Sequence, residues 1–562
     1  MKRLVMMRSV FAAVLAVSAA ACAMMPASAE PTAAPEITAV RPEKSPVVSS
    51  GAVDDGAGVK PAMYVPSGTT FGTAKELPRS YKTKTTGIRE QGAYQTCWAF
   101  SGIGAMEAFL SRTGKGDHDL SEQHLSWWAT KAYNDGGAGW QLDGLYEGGY
   151  SMISAGYFIS WEGAKLEEEV PYIRSRNDAV PDNMDDAYTA YGATGIMYVN
   201  NDIDSVKNAI YNYGGVATSY NNGSGYGLGR RTYYQSGTPS SYNGHAITVI
   251  GWDDDFPRED FGEHNMPPEN GAWLIKNSWG EDSCEDGYMW VSYYDSLILN
   301  TDIWGANLAF TSVRTMNRFD RLYQNEKYGA TYFTYLVGRN GKVLPEASFA
   351  NVFDFDDDHR YLQEVIFETQ SQGADYEVYF IPVENDMPIG DEANWVLLDS
   401  GEVKYSGYIC ADVSGKLQVS GKGAIGVKIS TKEENDYAMF GVDEWMTNSS
   451  GYVFVPDAKR GDSFVISDGK VYDLLDVYAE NNDNIGGTLV IKAVASADVV
   501  ADADDDGVVT SDDALFVLRK TVLVGDTPQE DIDKFDVNRD GVLNSEDALM
   551  ILRKSAGMIT EF

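Results

Sequence analysis

The chain has 562 residues, too many for one hydrophobic core, so three or four domains of roughly 150 residues each are expected. Asp and Glu number 83 against 44 Lys and Arg, a formal net charge of -39. That excess repels nucleic acid and anionic membrane surfaces and makes cations the natural ligands.

At the N-terminus, Met1-Lys2-Arg3 and Arg8 precede an apolar run from Val10 to Ala23, closed by Ala27-Ser28-Ala29. This is the layout of a secretory signal over residues 1–29, cleaved after Ala29, and the run is too short for a membrane span. Ala19-Ala20-Ala21-Cys22 offers a second route, lipid attachment at Cys22. Residues 30–75 are rich in Pro, Ala, Gly, Ser and Thr and read as a linker or short pro-segment. Of the four cysteines, Cys22 leaves with the signal, so Cys97, Cys284 and Cys410 remain, an odd set that argues against a disulfide-stapled protein.

From Cys97 onward, Trp98, Ile103, Met106, Phe109 and Leu110 recur at helical spacing, with Gly114 as a stop. Cys97 is therefore expected at a helix N-terminus, where unpaired N–H groups and the positive dipole end favour a thiolate. A nucleophilic thiol needs a base, and the base needs a group that orients it. Among five histidines, His245 alone opens an apolar run, Ala246-Ile247-Thr248-Val249-Ile250, that reads as a buried strand. Downstream, Asn277 ends a second apolar strand, Trp273-Leu274-Ile275-Lys276, and its side-chain carbonyl suits an imidazole N–H. Two other chemistries drop out. No H-E-x-x-H zinc motif occurs, and the glycine-rich stretch 223–229 lacks the Lys and the strand-to-helix setting of a phosphate loop, reading instead as a flexible surface loop.

Seven short motifs occur in one order: Gln91-Gly92, Cys97-Trp98-Ala99-Phe100-Ser101, Leu120-Ser121-Glu122-Gln123, Gly148-Gly149, Val170-Pro171-Tyr172, Gly244-His245-Ala246 and Lys276-Asn277-Ser278-Trp279-Gly280. With them, residues 76–315 resemble the papain family of cysteine peptidases. The resemblance implies a papain-like α+β fold with Cys97 as nucleophile, His245 as general base and then acid, and Asn277 as its orienting partner. It also implies that Gln91 completes the oxyanion hole with the Cys97 N–H, that Gly149 pairs with an extended substrate, and that Trp279 shields the His–Asn contact. No cofactor is implied for catalysis. Tyr94-Gln95-Thr96 departs from the family, which carries a disulfide-forming Cys in this approach to the nucleophile.

From 316 to 495 short alternating runs such as Tyr376-Glu377-Val378-Tyr379-Phe380, separated by Gly, Asp and Asn turns, argue for a β-sandwich. By position and texture this region resembles lectin-like accessory domains, which implies a glycan ligand; a structural spacer is the alternative.

Residues 500–562 hold an internal repeat. Asp502, Asp504, Asp506, Gly507 and Asp513 lead into Ala514-Leu515-Phe516-Val517-Leu518-Arg519-Lys520, and thirty-four positions on (502 to 536) Asp536, Asn538, Asp540, Gly541 and Asp547 lead into Ala548-Leu549-Met550-Ile551-Leu552-Arg553-Lys554. Oxygen ligands at positions 1, 3, 5 and 12 with Gly at 6 are the pattern of an EF-hand-like calcium loop, so two calcium ions are expected. The pair resembles a type I-like dockerin, a small α-helical module that docks secreted enzymes of cellulosome-forming anaerobes onto cohesin domains of a scaffold. By position, Ser511, Asp512, Ser545 and Glu546 are the partner-contact candidates.

The whole reads as a multidomain, secreted, extracellular cysteine endopeptidase, cell-surface or cellulosome-associated, that hydrolyses polypeptide and is docked through cohesin. The rival reading is a catalytically inert component of the same complex that binds polypeptide or glycan.

Overall fold

The computed structural model describes residues 77–559 apart from 135–147, 175–183, 185–188, 317–319, 327, 337–343, 433–436, 445, 448–452, 455, 481–486, 498–500, 504–508, 523–528 and 539–541. The helix Cys97–Arg112 is buried on every face from Cys97 to Leu110, as a helix without a polar stripe must be. Its small residues let neighbours press close: a Cβ on Gly104 would stand 2.7 Å from the Thr248 hydroxyl. Helices Glu122–Asn134 and Ser151–Ile159 pack beside it around a core that includes Trp98, Phe109, Trp128 and Tyr157.

Against this helical half stands an antiparallel β half. The strand Gly244–Asp253 pairs with Val216–Asn221 on one side and Ala272–Lys276 on the other, and Ala272–Lys276 pairs in turn with Tyr288–Ser292. Every residue of Gly244–Trp252 is buried, which explains the unbroken apolar run: the nucleophile helix covers one face, and the other packs on Val206, Ile210 and Trp273.

The sandwich expected between 316 and 495 is present. Strands Glu346–Phe355, Asp375–Glu384 and Gly421–Ser430 lie in a seven-stranded sheet that shares a core of Phe349, Phe367, Ile425 and Phe440 with strands Tyr361–Thr369 and Phe440–Glu444 of a second sheet. That second sheet does not stop at the domain boundary. Strand Tyr191–Val199 of the first unit pairs with Asn307–Thr315 and also with Gly407–Asp412 of the sandwich, giving one 15-stranded sheet among the described residues. Within the sandwich itself, Lys492 and Glu326 form an ion pair with both side chains fully buried, and Lys492 also donates to Gln324 Oε1 at 2.7 Å. The Tyr198 hydroxyl donates to the buried Glu368, whose carboxyl burial pushes up to about 7. Breaking the Lys492–Glu326 pair would strand a charge in a dry interior, typically at about 3–5 kcal/mol, so it holds the sandwich together. The two units are joined by the shared sheet and the Tyr198–Glu368 bond.

At the C-terminus, helices Ser511–Thr521, Gln529–Phe535 and Ser545–Ser555 enclose a separate small core of Val517, Phe535, Leu543 and Ile551.

Candidate active site

Cys97 opens its helix after Thr96, so the N–H groups of Cys97 and Trp98 precede the first intrahelical bonds, which run from Ala99 and Phe100 to the Thr96 carbonyl. These two N–H groups and that of Ala246, the residue after His245, all favour the thiolate. Burial outweighs them and pushes the Cys97 thiol up to about 11. Desolvation thus opposes the thiolate that the helix end favours.

His245 projects from the strand paired with both Val216–Asn221 and Ala272–Lys276, and Asn277 directly follows the latter. The His245 Nε2 lies 2.8 Å from Asn277 Oδ1. The same oxygen accepts the Ser278 N–H at 2.8 Å, so it is the carbonyl end of the amide and Nε2 carries the imidazole proton. Nδ1 is left with a free lone pair, as a base requires. Trp279 stacks on the imidazole at 4.6 Å with 22° between planes, and Tyr220 meets it edge-on at 5.8 Å. Burial among these rings lowers the His245 pKa to about 4 despite the Asn277 bond.

Gln91 sits beside this pair, buried. Its Nε2 donates to the Tyr94 carbonyl at 2.6 Å and its Oε1 accepts the Ser278 hydroxyl at 2.6 Å. A carbonyl can only accept, so the amide orientation is fixed, and one N–H of Nε2 remains for a ligand. The unusual Tyr94-Gln95-Thr96 approach has a physical account. The Tyr172 hydroxyl lies 2.6 Å from Thr96 Oγ1 and donates to the Gln91 carbonyl at 3.1 Å, while its ring meets Phe100 edge-on. Hydrogen bonds and an aromatic contact thus hold the loop without a disulfide, and Cys97, Cys284 and Cys410 are all free thiols.

A buried ion pair joins the two halves just behind the site: Lys276, next to Asn277, lies 3.2 Å from Glu107 of the nucleophile helix. Gly149 has a packing reason beyond any contact with substrate, since a Cβ there would come within 2.6 Å of the Trp98 indole. Sequence reasoning gave no role to Tyr172, Ser278 or Tyr220. The first two lie inside the motifs already noted, which was the available signal; Tyr220 carries none. The glycine-rich stretch 223–229 is a built hairpin, not the flexible loop expected. Its Gly227 N–H bonds to the Thr232 carbonyl at 2.9 Å, the Tyr234 N–H to the Gly225 carbonyl at 2.9 Å, and Tyr226 pairs with Tyr233.

Comparison with known proteins matches each of the three units to a family. The papain family cysteine protease model matches residues 76–301, a lectin-like domain model 322–495 and a type I dockerin domain model 500–554. The chain is similar to the cysteine protease and lectin-like domains of Cwp84, a surface layer associated protein of Clostridium difficile, with 32% identity, coverage of 80% of this chain and 93% of that chain, and a TM-score of 0.68. The chain belongs to the papain family of cysteine proteases. The clostridial protease after propeptide cleavage is 33% identical, covering 74% of this chain and 99% of the other with a TM-score of 0.66. A cysteine protease of Blomia tropicalis is 28% identical over 246 residues, 42% of this chain and 68% of that protein. A cathepsin L-like peptidase of Aedes aegypti is 28% identical over 216 residues, so that the match spans 56% of the relative's length. This papain-family protease thus carries its cysteine peptidase activity on a chain with a lectin-like middle domain and a dockerin.

In the dockerin, Asp504, Asp506 and Asp540 lie outside the described residues. The rest of each loop shows the repeat in space. Asp513 accepts the Ala503 N–H at 2.6 Å and the Thr510 N–H at 2.6 Å; Asp547 accepts the Val537 N–H at 3.0 Å and the Asn544 N–H at 2.8 Å. Each twelfth-position carboxylate therefore reaches back to close its own loop and caps the following helix. Asp502, Asp513 and Asp547 are buried, and burial together with the charge of Asp536 holds Asp547 above the usual carboxylate range. Buried carboxylates beside like charge fit a divalent cation. Asp502, Asp513, Asp536, Asn538 and Asp547 are the described residues that would hold it. Ser511, Asp512, Ser545 and Glu546 are exposed on the first turns of their helices, with Leu515, Leu518, Leu549 and Leu552 exposed along the same helices.

Proposed function

We propose that the chain is a secreted endopeptidase that cleaves polypeptides by a Cys97–His245–Asn277 thiol mechanism. The observation that carries this reading is the 2.8 Å bond from His245 Nε2 to Asn277 Oδ1, which leaves Nδ1 free on the residue before Ala246, whose own N–H favours the Cys97 thiolate. A neutral thiol beside a neutral imidazole reacts by transfer: as Sγ attacks the scissile carbonyl carbon, its proton moves to Nδ1 and an S–C bond forms. The carbonyl oxygen becomes an oxyanion, received by the Cys97 N–H and the remaining Gln91 N–H. Such a donor acts on charge that exists only in the transition state and is worth on the order of 3 kcal/mol. The imidazolium then protonates the leaving nitrogen as the C–N bond breaks. Water, deprotonated by the same Nδ1, releases the acid and regenerates the thiol.

The C-terminal repeats, on this reading, hold two calcium ions and dock the enzyme on a cohesin through Ser511, Asp512, Ser545, Glu546 and the neighbouring leucines. That places the enzyme outside the cell, on a scaffold or surface; no helix among the described residues is long and apolar enough to cross a membrane. The continuous sheet and the buried Tyr198–Glu368 bond favour a structural role for the middle domain as a fixed wall of the peptidase.

The decisive experiment is covalent labelling with an epoxide inhibitor of cysteine peptidases. Label at Cys97, lost in Cys97→Ala, is expected; correctly folded protein that takes no label refutes the mechanism.

A further inference from the structure

The glycine-rich hairpin has no part in the chemistry above, yet it stands against the catalytic histidine. A general acid must protonate the leaving nitrogen, so the leaving-group half of the substrate departs past His245 and over the ring that stacks on it, Trp279. Trp279 is half-buried. Tyr226 of the hairpin lies 6.5 Å from Trp279, ring centre to ring centre, and its hydroxyl meets that of Tyr220, the ring edge-on to the imidazole, at 2.9 Å. Over the Tyr226 ring, 5.2 Å from its centre, sits the guanidinium of Arg230.

Three observations single out Arg230. It is exposed, and among the described residues it makes no ion pair, in a chain where acidic groups outnumber basic ones by 83 to 44. Its neighbour Arg231 is already bound to Glu285 at 2.9 Å. Its backbone is left-handed, with φ of 57° after Gly229 at 67°, a conformation that an arginine adopts at some cost and that the surrounding hairpin imposes. The hairpin is fixed from below as well: the Asn265 amide donates to the Gly225 carbonyl at 3.1 Å. A rigid turn thus presents an unneutralised guanidinium over the ring that neighbours Trp279, which in turn stacks on His245.

We propose that Arg230 is a specificity-determining residue that favours polypeptide substrates carrying a carboxylate on the leaving-group side, within three residues of the scissile bond. The distance is that of extended chain at roughly 3.3–3.6 Å per residue, measured across the Trp279 and Tyr226 rings. The proposal rests on the His245 general-acid reading given above.

The test uses the full chain and matched peptides that differ only in carrying Glu, Gln or Lys at the second and third leaving-group positions. At low salt kcat/KM should fall in the order Glu, Gln, Lys, with Glu above Gln by about two- to fivefold, the range of an exposed ion pair, and high salt should compress the series. Arg230→Ala should bring the Glu and Gln peptides together and Arg230→Glu should reverse the order, while Arg231→Ala keeps the parent's preference. Equal kcat/KM for all three peptides in the parent, or an unchanged preference in Arg230→Ala, overturns the proposal. Those outcomes leave peptide cleavage intact. Failure to cleave any peptide together with failure of Cys97 to take an epoxide label instead refutes the peptidase mechanism beneath it, and the proposal with it.

Discussion

In the peptidase centre His245, Asn277, Ser278 and Gln91 form a chain of neutral hydrogen bonds, whereas in the dockerin repeats Asp502, Asp513 and Asp547 are buried carboxylates, Asp547 beside the charge of Asp536. A neutral network needs no counter-charge when the chain folds around it. A carboxylate cluster is complete only when something positive enters it. The difference separates a site whose polar geometry is preformed from one whose geometry is coupled to a ligand, and it assigns them different jobs: chemistry at the first, conditional attachment at the second.

The strongest way to break the comparison is to remove the reacting atom. Cys97→Ala takes a neutral group from a neutral network, so it should lower kcat/KM by on the order of 10⁴-fold or more while leaving thermal unfolding close to the parent. Peptide hydrolysis by Cys97→Ala at a rate near the parent's would mean that another group is the nucleophile. Next in size is Gln91→Ala. If its spare N–H meets the oxyanion, kcat should drop by about 10²–10³ with KM little changed. A rise in KM alone, with kcat preserved, would assign Gln91 to ground-state binding.

The neutrality of the first site also has a pH signature. Folded protein keeps His245 unprotonated down to about pH 4, while the unfolded chain takes up that proton near 6.5. Between those values the unfolded state binds the extra proton, so this contribution to stability is lost as pH falls through the window, by on the order of 3 kcal/mol in all. Above pH 9 the mirror image holds for Cys97: the folded thiol keeps its proton to about 11, so stability falls as pH rises. Urea unfolding at pH 7 and pH 4.5 of the parent and of His245→Gln, which has no proton to gain, should show a shallower slope for the variant. Identical slopes would mean that the imidazole is not held neutral.

How much of this was legible depended on whether the signal was local. Cys97, His245 and Asn277 could be picked out because each falls at the end of an element that the apolar pattern marks, and the structure brings the three to one place. The thiolate expectation was legible only in part, because a helix end can be read from neighbours in sequence, while the burial that opposes it comes from packing. The glycines of the 223–229 hairpin looked like freedom, but Gly225 and Gly227 answer crowding against Tyr234 and Thr232. Least legible was the seam between peptidase and sandwich. Tyr191–Val199 is apolar on both faces and says nothing of which strand lies beside it; that Met197 faces Gly407 is a fact of the assembled sheet. The dockerin repeat was the most legible, because duplication repeats its own evidence.

Calcium provides the smallest and most selective test of the comparison. A site that binds only the folded state stabilises it by about 2.7 kcal/mol when free ligand is at 100 times its Kd. Chelation should therefore lower the unfolding temperature of the dockerin transition and abolish cohesin binding. Peptide hydrolysis should stay at its starting rate, since no metal enters the Cys97 chemistry as derived. Two sites should titrate by calorimetry in the parent. Asp513→Ala should remove the first and Asp547→Ala the second, because each carboxylate spans its own loop, from Asp513 to the Ala503 N–H and from Asp547 to the Val537 N–H. A chelator that silenced hydrolysis in step with cohesin binding would erase the division between preformed and ligand-dependent sites, since the catalytic geometry would then also wait on the cation.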